Sequence, residues 1–276
     1  MAVFSYDNYV DDSTIANSSP VTSPLESSES ISVQKLKTRQ LGDVFRQSIL
    51  LSQSPSPQLI VDFDLGSAKP TRLMCILNHD MAGLAYTINF GTSAGASDVG
   101  QETGTFFTGI TDEAPNDMLY FASAYTAQHV RLIVTVTSVR TVEIGRVWMD
   151  DGWSLGGGLS FDFAVGVEDL SPTTETPSGG FWASSKKRRR VLHCKAHGLT
   201  TAHVVGTDAD TDSFLSIDIA VGTSGEVVLL PLTDTQRNKQ RLGVYGHISR
   251  NEPIQFIDKN NTDYLTSKRL TIKEDR

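Results

Sequence analysis

Between residues 58 and 148, apolar and polar side chains follow each other in short runs with a period of two. Residues 58–65 (QLIVDFDL) alternate in this way, which is the pattern of a β-strand with one buried face. Further strand-length runs lie at residues 71–77, 85–90, 130–136 and 142–148. Residues 66–70 and 91–100 are rich in small residues and predict turns. The region from 34 to 150 therefore predicts an antiparallel β-sandwich or jelly roll.

A second β-rich region is predicted from residue 151 to 276. Short strand patterns occur at residues 159–163, 181–183, 190–196, 227–232, 242–248, 253–256 and 268–273. One helix is predicted around 211–221, with Asp212 as a candidate cap. The glycines at 156–158 lack the Lys-Ser/Thr pair and the following helix of a phosphate-binding loop, so they indicate a flexible hinge or a tight bend.

Residues 1–33 differ from the rest and predict an extended, polar, acidic N-terminal arm. The arm holds five acidic residues and no lysine or arginine, and residues 18–32 are rich in serine, proline and glutamate. Such a composition does not bury a core. The first ten residues are more apolar, and Phe4, Tyr6 and Tyr9 are candidate interaction residues of a docking segment. The alternative at this point is a frayed terminus.

Composition and charge exclude several classes of protein. The 276 residues are 39% hydrophobic and 20% charged, with a formal net charge of −8. That charge disfavours nucleic acid as a partner, since a nucleic-acid binder needs a basic surface. No apolar run has the length of a membrane span, and no secretory signal pattern is visible. The two cysteines do not form a disulfide scaffold, which favours folding in a reducing compartment.

Several segments resemble a known family. Residues 61–81, 129–136 and 142–149 look like the strands of a discoidin-type domain, the β-sandwich of coagulation-factor C-domains. The order of residues 36–48, this sandwich and residues 169–182 is similar to a group of tailed-bacteriophage virion structural proteins. In that group, a discoidin-like domain precedes a compact β-rich domain. The resemblance implies a tail-associated virion subunit, made in the bacterial cytoplasm, that contacts other virion proteins and copies of itself.

The resemblance also implies an alternative function. Discoidin-like sandwiches commonly hold ligands, often sugars, on loops at one end, so the alternative is a carbohydrate-binding module that attaches the virion to a host surface glycan. The candidate ligand residues on such loops are Asn78, His79, Asp80, Phe106, Phe107 and Tyr120. Aromatic rings beside polar groups suit a sugar. The other interpretation of these rings is a place in the core or an interface.

The strongest local charge is a run of five cations, Lys186, Lys187, Arg188, Arg189 and Arg190. A solvated loop and a nucleic-acid contact are two interpretations of this run, and a nuclear-localisation signal conflicts with the phage resemblance. We hypothesise instead an electrostatic latch, in which the run meets an acidic surface of a partner or the acidic arm of a neighbouring copy.

Metal, cofactor and catalytic motifs are not apparent, so we expect a non-enzymatic protein without cofactor or metal. Two groups resemble metal sites: His193, Cys194, His197 and His203, and Asp208, Asp210 and Asp212. On a strand, neighbouring side chains point to opposite faces, and the aspartates lack the glycine and the final carboxylate of a calcium loop. Glycoside hydrolysis depends on a three-dimensional carboxylate separation, which leaves that chemistry open here.

Overall fold

The structure is a computed structural model that describes residues 2–19, 32–49, 57–108, 116–138, 140–154, 160–175, 181–183, 188–207, 212–222, 224–260 and 263–275. The chain forms two compact units. The sandwich unit comprises Asp7–Gly152 and Thr235–Arg241, and the second unit comprises Met1–Tyr6, Trp153–Asp234 and Leu242–Asp275. The units differ from the predicted division at residues 33 and 150, because the N-terminal segment contributes to both and residues 235–241 return to the sandwich.

The elements are numbered in chain order. The strands are β1 (Val3–Ser5), β2 (Thr14–Asn17), β3 (Phe45–Ile49), β4 (Gln58–His79), β5 (Ala85–Gly91), β6 (Gly100–Thr105), β7 (Asp117–Thr135), β8 (Arg140–Asp150), β9 (Trp153–Ser154), β10 (Ser160–Glu168), β11 (Thr173–Glu175), β12 (Phe181–Ala183), β13 (Arg189–Leu199), β14 (Glu226–Leu230), β15 (Val244–Asn251), β16 (Gln255–Asn260) and β17 (Asp263–Glu274). The helices are α1 (Tyr9–Asp12), α2 (Thr201–Val205), α3 (Phe214–Ala220) and α4 (Gln236–Leu242), and Val33–Lys37 is a 3-10 helix.

The sandwich unit is antiparallel, as the sequence predicts, with strand order β3-β8-β4-β7-β5-β6 and β2 on β4. The long strands β4 and β7 pair along two main stretches, separated by register shifts. The first stretch of β4 also pairs with β2, and the second pairs with β8. The strands β4 and β7 therefore take part in two connected sheets, one that includes β2 and one that includes β8. The predicted turn at 66–70 is wrong: β4 continues through it because a bulge absorbs the extra residues.

One hydrophobic core lies inside the sandwich unit. The predicted alternation along residues 58–65 is confirmed, because Leu59, Val61, Phe63 and Leu65 are all buried in this core. Full burial of one such side chain stabilises the fold by about 1.5–3 kcal/mol. Cys75 is fully buried, and burial raises the pKa of its thiol, so it acts as a small hydrophobic residue.

The second unit contains an antiparallel sheet of order β10-β13-β17-β15-β14-β1-β9, with β16 on β17, and a separate hairpin of β11 and β12. The N-terminal strand β1 lies between β14 and β9, with Phe4 opposite Leu229 and Trp153. The predicted docking segment therefore supplies a sheet strand to this same chain. Phe4 belongs to the unit's hydrophobic core.

Two helices lie in the described part of the second unit, where the sequence predicts one. The predicted helix at 211–221 corresponds to α3, and its cap is Ser213 rather than Asp212. The Ser213 Oγ accepts a hydrogen bond from the Ser216 backbone N–H at 3.1 Å, while Asp212 accepts one from the Tyr6 hydroxyl at 2.7 Å. In the described ranges, no helix is long and apolar enough to cross a membrane.

Candidate functional site

Two of the predicted ligand residues, His79 and Phe106, lie inside the sandwich unit. The His79 Nδ1 atom accepts a hydrogen bond from the Met81 backbone N–H at 3.1 Å, and its Nε2 atom lies 3.1 Å from an oxygen of Asp117. The ring of Phe106 packs against His79, with 5.0 Å between ring centroids. Both rings are almost fully buried. They support the loops and are not accessible to a ligand.

Asn78 and Asp80 are engaged by other segments of the sandwich unit. Asn78 has a φ of +49°, and its Nδ2 donates to the carbonyl of Leu41 at 2.6 Å. Asp80 Oδ2 lies 3.0 Å from Arg140 Nη2, and its other carboxylate oxygen accepts from the Glu143 backbone N–H. These contacts hold the end of β4 and the turn that follows it. They explain the presence of an asparagine and an aspartate here without a ligand.

Phe107 and Tyr120 are half-buried. The Phe107 backbone N–H donates to Asp117 at 3.1 Å. Arg72 lies over the Tyr120 ring, with 4.7 Å from the guanidinium carbon to the ring centroid. Burial raises the pKa of Tyr120, whose hydroxyl has no hydrogen-bond partner among the described residues. The structure thus brings His79, Phe106 and Phe107 together around Asp117, but as loop packing and not as an open site.

Asp117 also anchors helix α4, which comes from a distant part of the sequence. Its Oδ1 atom accepts hydrogen bonds from the Gln240 side chain at 2.7 Å and from the Gln236 side chain at 3.3 Å. The Gln240 Oε1 atom accepts from the Met118 backbone N–H at 2.9 Å. A carboxylate is suited to this position because it only accepts hydrogen bonds and all these neighbours donate.

We predict that Asp117→Asn lowers the free energy of unfolding of the sandwich unit by about 1–3 kcal/mol, because the amide group presents a donor to buried donors. Equilibrium denaturation and hydrogen exchange at α4 measure the change. Asp98→Asn is the control, since Asp98 is exposed and bonds only to Thr92 among the described residues. Equal stability of Asp117→Asn and the parent protein would contradict this role.

The three described arginines of the predicted latch are paired inside the second unit. Their partners are Asp169 for Arg188, Glu168 for Arg189 and Glu274 for Arg190, at 3.2, 2.7 and 2.5 Å. Lys186 and Lys187 lie outside the described residues. The arginines are therefore already neutralised by their own chain, which removes most of the charge on which the latch hypothesis depends.

The candidate interaction residues at the N-terminus also have partners in this chain. Phe4 lies in the core of the second unit, and the Tyr6 hydroxyl donates to Asp212 in the same unit. In the sandwich unit, the Lys69 ammonium lies 4.6 Å from the centroid of the Tyr9 ring. Burial, followed by the charge of Asp150, raises the pKa of Tyr9. These three residues pack within the units.

The groups that resemble metal sites are separated in the structure. Ring nitrogens of the three histidines contact different oxygen atoms: His193 contacts Thr271, His197 contacts Asp162, and His203 contacts Thr200. Asp208 and Asp210 lie outside the described residues. Elsewhere in the described chain, no group of three histidine, cysteine or acidic side chains is placed to hold a metal.

An open groove lies on the polar face of the second unit. It has a volume of about 360 Å³ and crosses strands β10, β13 and β17 and the end of β15. Its polar lining is formed by Asp162, His193, Lys195, Arg250, Glu252, Arg269 and Thr271. This volume is in the range of small-molecule sites. The groove contains groups of both charges, so it offers hydrogen-bond donors and acceptors together.

The alternation of the strands positions these side chains. On β13, Leu192, Cys194 and Ala196 are buried, so His193 and Lys195 point to the opposite, polar face. The same alternation on β17 buries Leu270 and Ile272 and turns Arg269 and Thr271 outward. Burial raises the pKa of the Cys194 thiol to about 12, so this cysteine forms part of the floor and is not a nucleophile.

The strand register arranges the polar lining in two rows. In the first row, Lys195 lies opposite Asp162 on one side and Arg269 on the other. In the second row, His193 lies opposite Ala164 and Thr271. The small Ala164 side chain leaves room above β10. The polar side chains of the first row therefore extend across three neighbouring strands, and those of the second row across two.

Contacts within the groove hold part of this lining in place. The His193 Nδ1 atom lies 3.0 Å from the Thr271 hydroxyl oxygen. Glu252 lies 2.8 Å from Arg250 and 3.9 Å from Arg269, between guanidinium nitrogen and carboxylate oxygen. Preformed contacts of this kind lower the entropy that a ligand loses on binding.

The sequence does not predict this groove, although it places His193 in a group that resembles a metal site. The alternation in residues 190–196 and 268–273 was visible and identifies outward-facing positions. What the pattern does not contain is the register that sets Lys195 beside Arg269. Without that register, the outward residues are indistinguishable from an ordinary solvated face.

Comparison with known proteins gave structural similarity only. No protein-family model and no curated protein matches the chain. The family 32 carbohydrate-binding module of NanJ from C. perfringens, in complex with galactose, is 11% identical with a TM-score of 0.38 and covers 54% of this chain and 98% of its own. A chitosan-binding module from Paenibacillus sp. IK-5 is 18% identical with a TM-score of 0.36, covering 52% and 98%. A fucose-binding module from Streptococcus pneumoniae is 12% identical with a TM-score of 0.37, covering 53% and 96%.

Proposed function

We propose that this chain is a non-enzymatic carbohydrate-binding protein that holds a saccharide in the groove of the second unit. The observation that carries the proposal is the pair of rows of polar side chains on one sheet, within a groove of about 360 Å³. A sugar hydroxyl both donates and accepts hydrogen bonds, so a saccharide needs donors and acceptors close together. The lysine and arginines of the groove donate, while Asp162 and Glu252 accept.

Other ligand classes fit this lining less well. An apolar ligand requires a mainly hydrophobic lining, whereas seven of the eleven described residues that line this groove are charged or polar. A nucleic acid requires a continuous run of cations along its path, and here two carboxylates offset two of the three cations, the lysine and two arginines. A polyhydroxylated ligand matches both the mixture of charges and the dimensions.

We further propose that the binding serves host attachment by a tailed-phage virion, with the protein tail-associated and made in the bacterial cytoplasm. The resemblance of residues 36–48 and 169–182 to virion structural proteins supports this placement. The partner is then a glycan of the host surface, and the sandwich unit contacts other virion proteins. Recognition without cleavage suits attachment, because an intact receptor keeps the particle in place.

A glycan array with the full chain tests the binding function. We expect defined saccharides to bind and Ala164→Trp to weaken them at least tenfold, because the indole fills the space above β10. Val167→Trp is the matched control, since Val167 lies on the same strand and is 61% exposed, but points to the other face. Chromatography should recover each bound saccharide intact. Binding that Ala164→Trp leaves unchanged would contradict this site.

The second candidate function is a structural virion subunit that acts through protein–protein contacts, including contacts with copies of itself. Exposed apolar side chains on the second unit favour it: Val165 and Val167 on strand β10, Leu170 just after it, and Leu215 and Ile219 on α3. Strand β10 is also an edge strand of its sheet as the structure describes it. If no saccharide on the array binds and the chain self-associates in analytical sedimentation, this function is favoured over the first.

A further inference from the structure

We propose that the groove selects saccharides that carry a carboxylate, and that Lys195 and Arg269 bind that carboxylate. This inference rests on the proposed function and names the ligand class of the same groove. It begins from the register of β13 and β17, in which Lys195 and Arg269 are directly opposite each other. Like charges at opposite positions of an antiparallel pair destabilise a sheet. An anion placed between them reverses that repulsion.

The carboxylates of the groove lie at the outer ends of this row and leave its centre cationic. Asp162 is 3.1 Å from the His197 ring. Glu252 is 2.8 Å from Arg250 but 3.9 Å from Arg269, so its closer partner is Arg250. Within the described parts of the chain, Lys195 has no carboxylate at ion-pair distance. Among the described residues Lys195 therefore has no ion pair in the groove, and Arg269 beside it has only the long one of 3.9 Å to Glu252, so the centre of the row stays cationic.

Carboxylate is the group that this centre is built to hold. A lysine ammonium has three donors and an arginine has a planar fork of donors, and charge-assisted hydrogen bonds are roughly twice as strong as neutral ones. The next row offers Thr271 and His193, which suit hydroxyl groups of the same sugar ring. A uronate or sialate residue presents a carboxylate and hydroxyls together, and so matches both rows.

The test compares acidic polysaccharides with their carboxyl-reduced counterparts, in which each carboxylate has become a primary alcohol. We expect the full chain to bind a uronate- or sialate-containing oligosaccharide about tenfold or more tightly than its reduced form. The preference should decrease as salt is added, since the site is open to solvent. Lys195→Gln should abolish the preference, so that the acidic and the reduced forms bind this variant with equal affinity.

Arg188→Gln is the matched control, because it removes one positive charge from the same unit at a side chain that is 70% exposed and outside the groove. Equal binding of acidic and reduced saccharides would overturn the inference while leaving the proposed function intact. Equal losses in Lys195→Gln and Arg188→Gln would overturn it too, and so would displacement of the saccharide by equimolar inorganic phosphate. Binding of neither form would contradict the proposed function itself.

Discussion

Replacing Glu274 with glutamine is expected to lower the free energy of unfolding of the second unit by about 3–5 kcal/mol. The Glu274 side chain is fully buried, and that of Arg190 nearly so. One carboxylate oxygen of Glu274 accepts hydrogen bonds from Arg190 Nε at 2.9 Å and from Arg190 Nη2 at 2.5 Å. The other accepts one from the backbone N–H of Arg190 at 2.9 Å. Glutamine removes the carboxylate charge that faces the guanidinium of Arg190 in the interior.

Native-state hydrogen exchange of amides in β13 and β17 measures this loss within the second unit, independently of the sandwich unit. Glu168→Gln is the control, because Glu168 pairs with Arg189 and Lys273 at the surface and surface pairs contribute little. If Glu274→Gln and Glu168→Gln changed the exchange of these amides equally, the buried pair would not have the role that its geometry indicates.

Phe4→Ala is expected to lower the free energy of unfolding of the second unit by about 3–5 kcal/mol. Phe4 has this effect although it lies some 150 residues before most of that unit in the sequence. The ring is 1% exposed, and its strand β1 holds β14 and β9 on its two sides. Truncation of a buried phenylalanine removes the transfer free energy of the ring and leaves a cavity. The expected loss therefore appears in amides of β14, whose strand pairs with β1.

Hydrogen exchange of β14 and equilibrium denaturation give the magnitude. Val167→Ala is the control, since it truncates an apolar side chain of the same unit at an exposed position. A frayed N-terminus predicts no change for either variant. Unchanged protection of β14 in Phe4→Ala would therefore show that β1 contributes little to the sheet.

The local pattern of apolar and polar residues predicts where strands lie, but not whether two predicted strands form one continuous strand. The alternation at 58–65 and the apolar run at 71–77 predict two strands, and both lie in β4. The turn predicted between them fails because Gly66, with a φ of +76°, takes part in a bulge, after which Lys69 and Pro70 pair again with β7. Glycine and proline indicate a local departure from regular structure, but tertiary pairing decides whether a strand ends there.

Long-range placement was not available from the sequence. The apolar content of the first ten residues predicts a docking segment, but nothing local shows that β1 joins β14 of the same chain, more than 200 residues later. The same limitation applies to α4, whose Gln240 reaches Asp117. It also applies to the groove, where single residues look like solvated charges until the register sets Lys195 beside Arg269. Chemistry created by pairing distant strands becomes visible only in three dimensions.

The most direct measurement is a crystal structure of the full chain with a saccharide that binds in the array. We expect the saccharide on the polar face of the second unit, with hydrogen bonds to Lys195, Arg269 and Thr271. A saccharide located instead on the sandwich unit beside Phe107 and Tyr120, with the groove filled only by solvent, would contradict it.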